Sequence, residues 1–283
     1  MPRYPLKKLD PAAEATALYQ EWLDEIRTAL ERGDDRWELC RRTLTGIFYA
    51  GLVDTDPSTL PLAARAALAQ MDARNVTLEP EYYGEIDAEK FNERKPLLLM
   101  WQMFDRSPLG GNVHLGVHFR RTLAPFLFKR VGRNFKCFHN VEFSYGYNLE
   151  VGDDVVVHRN VLLDDRGGIV LGNGVSISDY ANIYSHTHSI VDQVDVSNLK
   201  TVIDDGVRIT YHATVLAGTH VGANAMVGAM AVATKDVRPY HVNVGIPAKS
   251  VRVKPNAPPE AYKLTLRRED ASEVPAGGGA GEG

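Results

Sequence analysis

From Val131 onward, apolar residues return at every sixth position in runs of three: Val131, Cys137, Phe143; Val151, Val157, Leu163; Leu171, Ile177, Ile183; Ile203, Ile209, Val215; Val221, Val227, Ala233. With 44% of the chain hydrophobic, an unbroken series of that length arises by chance about once in 10^5, so the repeat is structural. The fifth position of each hexad is small or β-branched in most repeats, as in Val155, Val161, Gly167, Val175, Ala181, Thr187, Val207 and Ala213. Two inward residues per short strand, with Gly, Asn and Asp at the bends in "VGDD", "LGNG", "IDDG" and "VGAN", describe a parallel β-helix with three strands per turn. The repeat predicts about five coils over 131–255, with a loop thrown out between Ser189 and Val202. Phe135 and Tyr147 fill small-residue positions of the first coil, which suits a terminal coil of atypical composition.

Before the repeat the period is helical. Leu18, Trp22, Ile26 and Leu30 recur at i+4 after an Asp10-Pro11 start and before Gly33. A second stripe (Trp37, Cys40, Leu44, Phe48) and an Ala/Leu-rich stretch at 58–72 follow. Residues 1–130 are therefore expected to be an α-helical N-terminal region. Within it, the apolar and basic segment 117–130 should cap the first coil, and its charge also suits peripheral contact with an anionic membrane surface. Residues 256–283 are expected to hold a short C-terminal helix near 258–270 and then a disordered Gly/Ala-rich tail.

Composition narrows the function. A formal charge of -4 without a basic run gives no electrostatic footprint for nucleic acid. The two cysteines, Cys40 and Cys137, have neither metal nor redox spacing, and the N-terminus has no apolar signal segment, so a cytoplasmic protein is expected, at most peripheral to the inner membrane face.

Three strings, "FSYGYNLEVGDDVVVHRNVLLDD" (143–165), "GVSISDYANIYSHTHSI" (174–190) and "VGAMAVATKDVRPYHVNVGIPAKSVR" (227–252), resemble the hexapeptide-repeat O-acetyltransferases, especially the maltose and galactoside acetyltransferase group. That resemblance implies a left-handed parallel β-helix, a homotrimer with active sites between subunits, acetyl-coenzyme A (acetyl-CoA) as donor, and a sugar, glycan precursor or other small molecule as acceptor. It places His188 at the catalytic position. Imidazole suits the role, since a general base working near pH 7 should have a pKa close to that value. It also implies Asp165 as an acceptor-binding acid and coenzyme contacts at Ala229, Thr234, Lys235, Lys249 and Arg252. Two positions depart from the family: His158 stands where Asn is usual, and His186 replaces a small residue, so both are candidate acceptor contacts. Arg208 takes the place of an aromatic on the donor side.

Stacking arithmetic aligns Asn148, Gly168, His188, His220 and Arg238, which would put His220 beside His188 one coil on, as a supporting group. Asp192 on the loop is a candidate carboxylate to orient His188. Two other readings compete. One is a non-catalytic β-helix interaction subunit. The other is a zinc-dependent carbonic anhydrase of the γ class, for which His186, His188 and His220 are available but the His-x4-His spacing is missing, so no metal is expected.

Overall fold

The structure, a computed structural model, describes residues 10–263. Five longer helices come first: α1 (Ala13–Arg32), α2 (Arg36–Phe48), α3 (Leu62–Ala69), α4 (Ala88–Asp105) and α5 (Val113–Leu127). α1 starts at Ala13 without a side-chain cap rather than at the predicted Asp10-Pro11, and the Asp10 carboxylate lies 3.7 Å from Nδ1 of His114. Its C-terminus is as expected: Gly33 takes φ 77°, a left-handed conformation that favours glycine. The Asp35 side chain caps α2 by accepting from the Trp37 amide.

The hexads then build a β-solenoid in the predicted register. On the first face Val131, Val151, Leu171, Ile203 and Val221 pair in parallel, on the second Cys137, Val157, Ile177, Ile209 and Val227, and on the third Phe143, Leu163, Ile183, Val215 and Ala233. All but Val131 are buried. A sixth turn begins where Val237 bridges Val221 and residues 241–244 pair with the second face, so the solenoid runs to about six turns rather than five. An antiparallel strand, Lys249–Val253, closes that end, and a short helix, α6 (Pro259–Lys263), follows. The rest of the expected C-terminal helix and the tail lie outside the described residues.

α4 and α5 cover the open start of the prism. Trp101 of α4 donates its indole N–H to the Val141 carbonyl at 2.9 Å, and Phe128 packs edge-on against Phe135 and Phe143 of the first coil. The basic residues of the capping segment divide between the interior and the surface, where Lys129 and Arg130 stay exposed. Arg120 is 1% exposed and ion-paired with Asp105, Arg121 donates to the Phe135 carbonyl, and Lys129 and Arg130 face Glu150. Among the described residues no helix is long and apolar enough to cross a membrane.

Candidate active site at the third corner

The third face departs from the simple hexad rule. Inward alternation continues two residues further than on the other faces, so that Tyr145, Asp165 and Ser185 follow Phe143, Leu163 and Ile183 into the interior and are 0–1% exposed. In the third coil the chain then leaves at His186, earlier than the predicted Ser189. It forms an antiparallel hairpin in which His186 pairs with Asn198, Thr187 with Ser197 and His188 with Val196. It rejoins at Leu199, whose amide donates to the Ser185 carbonyl at 2.7 Å. Gly167 makes room for this exit: a Cβ there would lie 2.1 Å from that carbonyl oxygen. Thr187 is accordingly exposed and not a core residue.

Asp165 is corrected by the same geometry. It was expected to face an acceptor, but it is 0% exposed and accepts from the backbone amides of Tyr145 at 2.7 Å and Asn148 at 3.2 Å. Its neighbour Asp164 faces outward instead, beside His186. Period-two alternation carried on from Leu163 could have found this; the fifth-position rule pointed two residues too far.

Burial raises the Asp165 carboxyl from 3.8 to about 6. Between about pH 4 and 6 the folded chain therefore holds a proton that the unfolded chain has lost, and this group's contribution to stability falls as pH rises through that window. Asp165→Asn removes the titration. Its unfolding free energy relative to wild type should rise by about 2 kcal/mol from pH 4 to pH 7, followed by urea denaturation. A difference that does not change with pH would contradict the assignment.

His220 is also relocated. It belongs to the first-face ladder Glu150, Val170, Val202, His220, and its Nε2 lies 2.8 Å from Asp204, because the excursion shifts the stacking register assumed for His188. Nor does Asp192 orient His188: its carboxylate accepts from the Val194 amide in the hairpin turn. The group beside His188 is a backbone carbonyl, that of Gln193, 2.7 Å from Nδ1. A carbonyl can only accept, so Nδ1 carries the proton and Nε2 presents a lone pair.

His186 stands against Asp164 through Nδ1, and its ring centroid lies 5.3 Å from that of His188 with the rings nearly perpendicular. Two clefts meet here, both lined by Tyr184 and His186. One, about 380 Å³, also holds Thr187, His188, Leu216, Ala217 and Thr234. The other, about 670 Å³, runs between the third face and the N-terminal region, where Thr77, Glu79, Tyr83, Gln102 and Arg106 line it. Those N-terminal residues carried no motif and were missed from sequence; only the fold brings them to the solenoid. Arg166 ties the two parts together, ion-paired with Glu85 and 3.9 Å over the Tyr83 ring.

Of the remaining predicted residues, Thr234 reaches the His188 cleft. Ala229, Lys235, Lys249 and Arg252 are exposed and line neither cleft, the last two lying on the closing strand. His158 stacks on Phe138 of the preceding coil, 5.0 Å between centroids, and is not among the residues lining either cleft. Among the described residues no group of three or more His, Cys, Asp or Glu is arranged to hold a metal ion.

No protein-family model matches the chain. Similar proteins nevertheless agree on one class. The "Putative acetyltransferase SAR2635" of Staphylococcus aureus (strain MRSA252) is 30% identical over 144 residues, covering 50% of this chain and 72% of that protein. The galactoside O-acetyltransferase of Escherichia coli (strain K12) is 26% identical over 140 residues, 48% of this chain and 69% of that one. Two solved structures share the fold. A maltose O-acetyltransferase from Clostridium difficile 630 superposes with a TM-score of 0.53 at 24% identity, covering 61% of this chain and 91% of that chain. A hexapeptide-repeat-containing acetyltransferase from Vibrio cholerae, in complex with acetyl-CoA, gives 0.52 at 23%, covering 64% and 98%. The chain belongs to the hexapeptide-repeat acetyltransferases.

Proposed function

We propose that this protein transfers an acetyl group from acetyl-CoA to a hydroxyl of a sugar or glycan precursor, with His188 as general base. The observation that carries the reading is the His188 ring in the smaller cleft, next to His186, which lines both clefts, with Nδ1 against the Gln193 carbonyl and Nε2 left as the acceptor. Nε2 takes the proton of the acceptor hydroxyl as its oxygen attacks the thioester carbonyl. The tetrahedral adduct then collapses with loss of the C–S bond, and the imidazolium returns the proton to the leaving thiolate.

The smaller cleft, with Thr234, suits the donor's thioester end. Exposed Lys235, Lys249 and Arg252 supply cations for the 3'-phosphate and pyrophosphate of the coenzyme. The larger cleft suits the acceptor. Its lining mixes carboxylates, amides and aromatic rings in the way that binding of a polyhydroxylated ligand requires. In this reading the N-terminal region, which forms one wall, selects the acceptor.

The hairpin tip projects Ile190, Val191 and Val194 at 103%, 91% and 84% exposure. Such apolar surface supports a homotrimer in which the tip packs on a neighbouring subunit. Light scattering should then give three times the 31.3 kDa chain mass, and a monodisperse single-chain mass would reject the trimer.

The test of function is thiol release from acetyl-CoA against a panel of sugars. Acceptor-dependent release is expected. Absence of coenzyme binding in a thermal-shift measurement would favour the non-catalytic subunit instead. A γ-class carbonic anhydrase gains no support from the geometry, since His220 is on the first face and apart from His186 and His188.

A further inference from the structure

His186 has no assigned part in the transfer just described, yet the fold holds it with more care than His188. Asp164, whose side chain is 5% exposed, faces its Nδ1 with Oδ2. The other carboxylate oxygen, Oδ1, accepts from Ser144 Oγ at 3.3 Å and from the Arg166 amide at 3.4 Å, so the carboxylate is held from both ends. The contact is not aligned as a hydrogen bond, but the carboxylate's charge beside Nδ1 favours the proton on that nitrogen and leaves Nε2 as a hydrogen-bond acceptor. Among the described residues nothing hydrogen-bonds that Nε2, and the His186 side chain, 17% exposed, lines the large cleft and the small one alike. Two imidazoles of the same tautomer therefore stand side by side, His186 lining both clefts and His188 the smaller one, 5.3 Å between centroids and at 83° to each other.

We propose that His186, positioned by Asp164, binds a second hydroxyl of the acceptor, next to the one that His188 deprotonates, so that the enzyme selects acceptors carrying neighbouring hydroxyls. Hydroxyls on adjacent ring carbons each reach on the order of 3 Å to an accepting nitrogen, which matches two acceptors on rings this close. A single acceptor nitrogen would bind any alcohol; a pair selects a diol. A lone hydroxyl would leave Nε2 of His186 without a partner in a partly enclosed site. That kind of loss costs roughly 5- to 150-fold in specificity. The carboxylate that reaches the acceptor in this arrangement is Asp164, not the predicted Asp165, and it acts through the imidazole.

This inference rests on the acetyltransferase reading and on His188 as base, and the experiment separates the two. Acetyl transfer from acetyl-CoA is measured for methyl pyranosides and for their monodeoxy derivatives lacking the neighbouring hydroxyl. Wild type should prefer the diol by on the order of 10- to 100-fold in kcat/KM. His186→Ala should bring that ratio close to one by slowing the diol alone, with coenzyme affinity unchanged. A wild type indifferent to the neighbouring hydroxyl, or a variant that slows both acceptors equally, overturns the inference and leaves the base assignment standing. Failure of every pyranoside while acetyl-CoA still binds overturns the inference together with the acceptor class.

A second readout needs no turnover. The 15N shifts of the His186 ring should report a proton on Nδ1 in wild type and a mixture of tautomers in Asp164→Asn. A proton on Nε2 in wild type would show that the ring cannot accept from the acceptor, and the proposal would fail.

Discussion

Replacing His188 by Ala should lower acetyl transfer by about 10^2- to 10^4-fold for every accepted acceptor, the usual cost of losing a general base. Coenzyme binding should persist, because the cations offered to its phosphates lie elsewhere, on Lys235, Lys249 and Arg252. The ring is exposed and sits on a hairpin outside the solenoid interior, so its removal should leave the fold intact and the loss should appear in kcat. Asp192→Asn supplies the contrast. Its carboxylate accepts from the Val194 amide at 3.0 Å and does not touch His188, so the rate should stay close to that of wild type. If Asp192→Asn matched the loss in His188→Ala, orientation by a backbone carbonyl would be the wrong account. If His188→Ala were as active as wild type on any acceptor, the base assignment itself would fall.

Sequence and structure agree best where one physical rule governs many residues. Burial in a narrow prism demands an apolar side chain at the same place in every coil, and hence the hexads gave the register of all three faces residue by residue. The active-site corner was less legible because it is where that rule stops. Ser185 is buried as alternation would have it, but the chain then turns out at His186. No hexad count detects this, since Thr187 happens to be a β-branched residue at the expected inward position. Two expectations assumed the coil continued and went wrong with it: the burial of Thr187 and the placing of His220 beside His188. The wall supplied by Thr77, Glu79, Tyr83, Gln102 and Arg106 had no sequence signal because these residues share only a position in space. The comparison with relatives covers about half the chain.

Arg120→Met should destabilise the fold by about 3–5 kcal/mol at neutral pH, measured by urea denaturation. The segment holding Arg120 reads in sequence as a basic capping surface, yet this guanidinium is 1% exposed. It pairs with Asp105 of α4, donates to the Cys137 carbonyl of the first coil at 3.2 Å, and packs 5.7 Å from the Phe104 ring centroid. Gly116 leaves it space, since a Cβ there would lie 2.7 Å from the guanidinium. The single side chain thus joins both capping helices to the solenoid. Without the cation, Asp105 keeps the Asn140 amide at 2.8 Å but remains a buried carboxylate, a group whose pKa burial already raises in the intact protein. Loss of Arg120 pushes it higher, so the penalty should be greatest near pH 7 and shrink in acid as Asp105 takes up a proton. The double variant Asp105→Asn, Arg120→Met should recover much of the loss, because it removes the stranded charge along with its partner. A double variant no more stable than Arg120→Met would mean that the cost lies in the lost bond to Cys137 and the lost packing. The cap would then be held by shape and backbone hydrogen bonding rather than by charge.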